Sequence, residues 1–295
     1  RACPYARGMS RWSPASALLI LALIFAVDTV TTPSPSPQQG TAELSPQQFL
    51  EQLLFVVAPI EQWCGPSRLG TATGFFFVNE ERLYFVTNRH VVRDEEHRLY
   101  PDKLRLRLHT NVQDHTQNDN YDISLYRNGI SVWREKPGLD LAAIEIPRND
   151  VERFVIKALP PSLFAPTDLV IGPGDDVIII GYPRGFSDTL HNYPVIRVGA
   201  VASAYPTPFQ GKPLFLVDAR LHPGTSGSPV LAKPSTTWRT LQGTSVTGLS
   251  TFFLGVNSGE FFFGGESLGL NGIWYAAEVQ AITISSFRTA SFPQQ

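Results

Sequence analysis

The segment LHPGTSGSPVLA, residues 221–232, sets a serine among glycines directly ahead of an apolar run. A nucleophilic serine needs an exposed hydroxyl, and the oxyanion formed when it attacks a carbonyl needs backbone N–H groups turned toward it. Gly224 meets the second need: a residue without a Cβ can take a turn conformation that aims its N–H into the same space as that of Ser226. Each donor of this kind is typically worth about 3 kcal/mol of transition-state stabilisation. The same composition also makes an ordinary Gly/Ser/Pro turn, so Ser226 acquires meaning only through partners elsewhere in the chain.

Ser226 requires a general base, and the histidines are His90, His97, His109, His115, His191 and His222. His90 closes an apolar strand in FVTNRHVV, where a barrel rim would hold it rigidly. His97, His109, His115 and His191 fall in polar or turn-like surroundings, where solvation is the expectation. His222 is too near Ser226 in a turn to have the reach and direction of a base. The acid that orients the histidine should be buried beside it, fixing its tautomer and stabilising the imidazolium. Asp140, in PGLDLAAIEI, precedes an apolar strand and so suits a barrel interface; taken alone it serves equally as a turn or strand-cap residue. Asp119 and Asp122, in QDHTQNDNYD, are expected in a loop.

Chain order narrows the choice. An α/β-hydrolase needs its histidine after the serine, and no histidine follows Ser226. The Asp, His, Ser order of subtilisin belongs with alternating helices and strands, which this chain lacks. What remains is His90, Asp140 and Ser226, in that order, on an all-β frame.

Strands must position these residues. TATGFFFV, RLYFVTN, KLRLRLH, DISLYRN and LAAIEI form one set of short β-rich runs, and DVIIIGYP, VIRVGAVAS, PLFLVDAR, SPVLA, STFFLGVNS and GIWYAAEV form a second. Residues 150–165 read as a connector between them. The alternation Leu104-Arg105-Leu106-Arg107-Leu108 puts leucines on one face and a solvated row of arginines on the other. Residues 45–63 carry Phe49, Leu50, Leu53, Leu54 and Val57 at helical spacing, with Ser45 as N-cap and Pro46 at the first helical position. The expected architecture is all-β: two six-stranded antiparallel β-barrels with a short N-terminal and a short C-terminal helix. Residues 44–152 would make the first barrel and 153–295 the second. A polar insertion occupies residues 233–250, and Phe261, Phe262 and Phe263 are expected as hairpin core rather than as a docking patch.

Taken together, these segments resemble the trypsin-like serine proteases, most closely the bacterial branch of HtrA-type proteases and glutamyl endopeptidases, over residues 72–281. TNRHVV is similar to the family's histidine segment, usually Thr-Ala-X-His-Val-Val. GLDLAAIEI resembles its Asp-Leu-Ala strand. VDARLHPGTSGSPV resembles its Asp-Ala-X-Ile-Asn-Pro-Gly-Asn-Ser-Gly-Gly-Pro segment. VIIIGYPRG and VGAVAS look like the strands opening the second barrel, and LGVNSG and NGIWYAAEV like the substrate-pocket walls. The resemblance implies a chymotrypsin-like fold and a serine endopeptidase acting on proteins or peptides through an acyl-enzyme. His90, Asp140 and Ser226 would be its triad, and Gly224 and Ser226 its oxyanion hole. It also implies Ser258 near the aspartate, substrate added as a strand to residues 257–259, and substrate-binding roles for His222, Asn257, Ser258 and Gly259. No metal or organic cofactor is implied. A catalytically silent peptide-binding protein and a serine esterase are the alternatives on the same frame.

Two departures change what carries over. Thr225 stands where animal trypsins have the aspartate that pairs with a new N-terminus, so activation by that ion pair is not expected. Ser228 replaces the second glycine of Ser-Gly-Gly-Pro, as in glutamyl endopeptidases, but no histidine suited to reading a glutamate is identifiable, so specificity does not carry over. No PDZ domain is expected after residue 281.

Composition excludes other classes. With 24 basic and 26 acidic side chains the formal charge is -2, too balanced to draw the chain to nucleic acid. Gly (23), Pro (24) and Phe (19) are plentiful, which suits short strands and tight turns. The cysteines, Cys3 and Cys64, make neither a zinc motif nor a disulfide framework, and Cys64 is expected as a small buried hydrophobe. Met9 is the sole methionine and a candidate start. From there Arg11, the apolar residues 15–27 and the polar residues 29–40 follow the layout of a secretory signal. That run is short of the roughly 20 residues that span a bilayer. Residues 1–43 are therefore expected as signal and Pro/Ser linker, directing the protein to a secreted or periplasmic location, with an uncleaved membrane anchor as the alternative.

Overall fold

The computed structural model describes residues 51–287. The leader, its linker and residues 45–50 of the expected N-terminal helix lie outside the described residues. The first half carries β1 (Val57–Cys64), β2 (Ser67–Asn79), β3 (Arg82–Thr87), α1 (Arg89–Val92), β4 (Lys103–His109), β5 (Asn118–Ser124), β6 (Tyr126–Arg127), β7 (Ile130–Ser131), β8 (Trp133–Arg134) and β9 (Ala142–Ile146). The second carries β10 (Asp176–Gly181), β11 (Val195–Val201), β12 (Leu214–Asp218), β13 (Pro229–Ala232), β14 (Ser235–Arg239), β15 (Ser245–Ser250), β16 (Phe253–Phe263), β17 (Glu266–Tyr275) and α2 (Ala276–Thr283).

The second half closes as a six-stranded barrel in the order β10-β11-β12-β17-β16-β13. The first half pairs as a seven-stranded sheet, β5-β4-β1-β2-β3-β9-β8, in place of the six-stranded ring anticipated. The added member is the two-residue β8, and β1 takes a place in the sheet where the residue spacing suggested a helix. The all-β frame, with a chymotrypsin-like fold, is as expected.

Period-two burial explains why the sequence shows long apolar runs instead of clean alternation. In β2, Phe76 points into the core of the first sheet, while Phe75 and Phe77 point the other way, into a second core shared with the barrel. In β10, Ile179 faces the barrel interior while Ile178 and Ile180 face that shared core. Both faces of these strands are covered, so both must be apolar. Fully burying one such Phe or Ile is worth about 1.5–3 kcal/mol, and the shared layer, with Phe75 against Phe253 at 5.4 Å, holds the two halves together. Outer strands follow the simpler rule: Leu104, Leu106 and Leu108 are buried, and Arg105 forks onto Asp122 of β5 at 2.8 and 2.9 Å.

Several local expectations change. Residues 51–53 are helical, but the chain is a strand from Val57, because Val57, Ala58 and Ile60 are buried in two sheet cores and tertiary packing overrides the helical spacing. Asp119 and Asp122 lie on β5 rather than in a loop, since Arg153 and Arg105 neutralise them. GIWYAAEV ends as a strand at Tyr275, and its AAEV opens α2. Cys64 is exposed where β1 turns at Gly65. His109 is buried at the end of β4, packed beside Phe55 and accepted by the His191 carbonyl at 2.6 Å. The insertion at 233–250 forms the β14–β15 hairpin. Phe261 packs against Phe209, whereas Phe262 and Phe263 are exposed near the Gly264-Gly265 tip of the β16–β17 hairpin, beyond the barrel wall that could have covered them.

Candidate active site

Asp140 precedes β9, and His90 lies in the single turn α1 that follows β3. Because β3 and β9 are paired, with Thr87 opposite Ala142, the two segments leave the sheet side by side. His90 presents its backbone N–H to Asp140 Oδ1 at 3.0 Å and its ring Nδ1 to Oδ2 at 2.8 Å. Ser258 of β16 donates its hydroxyl to the same Oδ2 at 2.6 Å, and Asn88 ties down the Asp140 backbone by donating Nδ2 to its carbonyl at 2.8 Å. A carboxylate accepts only, so the His90 proton sits on Nδ1 and Nε2 is left as an acceptor.

Ser226 and His90 line one cleft of about 850 Å³, together with Asp140, His222, Ser258 and Gly259. The Ser226 hydroxyl donates to the Ser258 carbonyl at 3.2 Å. Among the described residues no hydrogen bond joins it to the His90 ring; rotation about its own Cα–Cβ bond is the motion that changes where it points.

The turn before Ser226 is shaped by two peptide planes. A trans peptide points its C=O and N–H in opposite directions. The Pro223 carbonyl accepts from the Arg184 N–H at 2.6 Å, so the Gly224 N–H is turned the other way. The Thr225 carbonyl accepts from the Ser228 N–H at 3.0 Å and from Asn257 Nδ2 at 3.0 Å, which turns the Ser226 N–H away in the same manner. Neither N–H has a protein acceptor among the described residues, as a pair of donors reserved for an oxyanion requires. Gly224 has φ +94°, and a Cβ there would stand 2.6 Å from the Arg184 nitrogen. Gly227, at φ +84°, leaves 2.1 Å for a Cβ beside the Thr73 carbonyl oxygen. Only glycine serves at either position.

Thr73 is the residue that sequence reasoning missed. It is fully buried on β2, receives the Tyr182 N–H on its hydroxyl at 2.9 Å, and gives its own N–H to the Ser226 carbonyl at 3.0 Å. Because Ser67, Arg68 and Thr71 stand on the same strand, its polar character gave no signal that singled it out.

Asn257 lines the cleft and also braces the serine turn. The Asn257 N–H and C=O are both taken, by the Ser228 carbonyl and the Gly227 N–H at 2.9 Å each, and its side chain is buried against Thr225. It supports the serine turn and offers no free edge. His222 remains on the cleft wall, its carbonyl accepting from the Thr225 N–H and hydroxyl. No group of three or more His, Cys, Asp or Glu among the described residues could hold a metal ion.

A family model for a trypsin-like peptidase domain matches residues 72–236, a span that takes in the His90, Asp140 and Ser226 segments. A search of curated proteins finds no match. Among solved structures, the inactive form of a serine-to-alanine mutant of Rv3671c from M. tuberculosis H37Rv is 18% identical, with a TM-score of 0.45, covering 85% of this chain and 94% of that one. The HtrA-type protease AlgW, as a serine-to-alanine variant with a tripeptide, is 16% identical with a TM-score of 0.48, covering 81% and 62%. A serine endoprotease from Yersinia pestis is 14% identical with a TM-score of 0.48, covering 81% and 65%. The chain thus spans a little under two thirds of the last two.

Proposed function

This chain belongs to the trypsin-like peptidase family and is a serine protease, and we propose that it is an endopeptidase whose catalytic triad is His90, Asp140 and Ser226. The observation that carries the reading is the His90–Asp140 pair, joined at 2.8 Å on the wall of the cleft that Ser226 also lines. In this mechanism Ser226 Oγ attacks the peptide carbonyl carbon as its proton passes to His90 Nε2. Asp140 keeps the ring in the required tautomer and stabilises the imidazolium. The oxyanion is held by the N–H groups of Gly224 and Ser226. Collapse breaks the C–N bond, the amine leaves with the proton from His90, and water repeats the sequence on the acyl-enzyme. The substrate chain lies along the edge of β16 at Ser258 and Gly259.

The test is labelling by a fluorophosphonate probe, with casein hydrolysis in parallel. Wild-type protein is expected to label, and Ser226→Ala to lose labelling and nearly all proteolysis. Undiminished labelling of the variant rejects Ser226 as nucleophile; a folded wild-type protein that never reacts favours a silent peptide binder. Export by residues 1–43, to a secreted or periplasmic location, is part of the same proposal. Its check is N-terminal sequencing of exported material: a mature end beyond residue 27 supports cleavage, and a retained Met9 supports a tether.

A further inference from the structure

Strands β2, β1, β4 and β5 lie side by side in the first sheet, and their outward residues pave a second pocket, of about 460 Å³, apart from the cleft that holds Ser226. Glu61 stands opposite Thr71 of β2 and opposite Arg105 of β4, and Arg107 stands opposite Asn120 of β5. Residues paired in this way share a face of the sheet. The other wall comes from the barrel half. Gly185 packs so closely there that a Cβ on it would stand 3.3 Å from the Thr71 methyl group. Asn192, itself 3% exposed, ties the same segment to β4 by donating Nδ2 to the Arg107 carbonyl at 2.9 Å. Both halves therefore build the pocket and fix its shape.

Its charges do not cancel. Glu61 pairs with Arg68 at 3.3 Å and accepts the Trp63 Nε1 proton at 3.1 Å. Asp119 is taken by Arg153 at 2.6 Å, and Arg105 by Asp122 at 2.8 Å. Asp188, next in sequence to Ser187 of the lining, accepts from His191 and from two backbone N–H groups. Arg107 remains: it is exposed, its cross-strand neighbour is the neutral Asn120, and among the described residues no carboxylate pairs with its guanidinium. The hydroxyls of Thr71 and Ser187, also in the lining, meet no acceptor among the described residues. The pocket thus presents a planar cation and two hydroxyl donors, while the carboxylates around it are already matched.

We infer that this pocket docks an acidic side chain of the substrate, Asp or Glu, several residues beyond the scissile bond on the leaving side. The inference rests on the reading of Ser226 as nucleophile, which fixes where the substrate crosses. Ser226 sits between β16, whose Ser258 carbonyl accepts its hydroxyl, and β2, whose Thr73 N–H donates to its carbonyl at 3.0 Å. The acyl part lies along β16, so the departing part continues over β2. Thr71 shares a face with Thr73 and opens into the pocket. Thr73 pairs with Pro59, and Pro59 adjoins the Ile60–Leu106 pair, so Arg107 is two strand spacings from Thr73, about 10 Å. An extended chain covers that distance in about three residues at roughly 3.3 Å each. A carboxylate arriving there receives the guanidinium fork and the hydroxyls. An amide of the same shape gains no charge-assisted bond, and a lysine meets like charge.

The experiment has two arms on the full chain. In the first, a fluorescein-labelled glutamate-rich peptide is titrated by anisotropy into Ser226→Ala protein, where catalysis plays no part. Saturable binding is expected, weakened about fivefold by adding Arg107→Gln and weakened again by salt. In the second, wild-type protein cleaves two peptides that differ only in carrying Glu or Gln at the third to fifth residues beyond the scissile bond. KM is expected about fivefold lower for the Glu peptide. Arg107→Gln should bring the ratio near one, and Arg107→Glu should turn the preference toward a Lys peptide, a reversal that misfolding cannot produce. A wild-type ratio near one, a ratio unmoved by Arg107→Gln, or peptide binding indifferent to that substitution overturns the inference and leaves the protease reading standing. If wild-type protein cleaves neither peptide, the nucleophile assignment fails, and the anisotropy arm alone decides whether the pocket takes a carboxylate.

Discussion

The hydroxyl of Thr73 donates to the carbonyl oxygen of Gly224 at 2.8 Å. One buried side chain of the first sheet thereby fixes the residue that begins the serine turn of the barrel. Thr87 reinforces it by donating to the Thr73 carbonyl at 2.8 Å.

Thr73→Val keeps the shape of the side chain and removes its hydroxyl, so the Gly224 carbonyl and the Tyr182 N–H lose their partner together. A buried group left unpaired costs about 1–3 kcal/mol. The expected result is a lower urea midpoint with an unchanged slope, and a fall in kcat larger than any change in KM. Denaturation and kinetics on the same preparation measure both. A midpoint equal to wild type would show that the hydroxyl holds nothing in place.

Asp140→Asn should leave the fold intact and lower kcat by about 10⁴. The amide turns a donor toward His90 Nδ1, which drives the ring proton to Nε2, and an Nε2 that carries a proton cannot take one from Ser226. Peptide turnover beside circular dichroism checks this: a native spectrum with near-normal kcat would remove Asp140 from the mechanism.

Stability should fall on acidification below about pH 6.5. Burial holds the His109 pKa below the ordinary histidine value, although the His191 carbonyl opposes this; His115, Arg107 and His191 nearby also disfavour a charge. Between the folded value and the unfolded one the unfolded chain binds more protons, so stability rises with pH through that window and is lost as pH falls through it. His97 has the opposite sign, raised by its hydrogen bond to Asp94, and its contribution fades as pH rises; it is exposed and weak. Thermal melts from pH 7 to pH 5 should show a falling Tm, flattened by His109→Gln, which keeps a donor for the His191 carbonyl without the titration. An equal slope in the variant would assign the acid sensitivity elsewhere.

What could be read in advance followed from how local each signal is. His90, Asp140 and Ser226 each stand beside an apolar strand in a short segment of recognisable pattern, and their order along the chain excluded the other arrangements of this chemistry. The arginine face of β4 was equally local, because a period of two needs only neighbouring residues. Long-range partners left no such trace. Nothing in TATG says that Thr73 meets Gly224, and nothing in QNDNYD says that Arg153 and Arg105 will neutralise Asp119 and Asp122 and make a strand of a polar run. The bracing role of Asn257 was hidden for the same reason: its backbone groups are spent on the serine turn, a pairing set by the β13–β16 edge rather than by its neighbours in sequence.

The shared core of Phe75, Phe77, Ile178 and Phe253, with the Thr73 hydrogen bonds beside it, is the joint between the half that carries the imidazole and the half that carries the hydroxyl. Slippage of even an ångström along that joint would disarm the enzyme while each half kept its own hydrogen-bonded ladder. Inactivation by heat or mild denaturant should therefore run ahead of melting, so that turnover gauges how tightly the joint is closed.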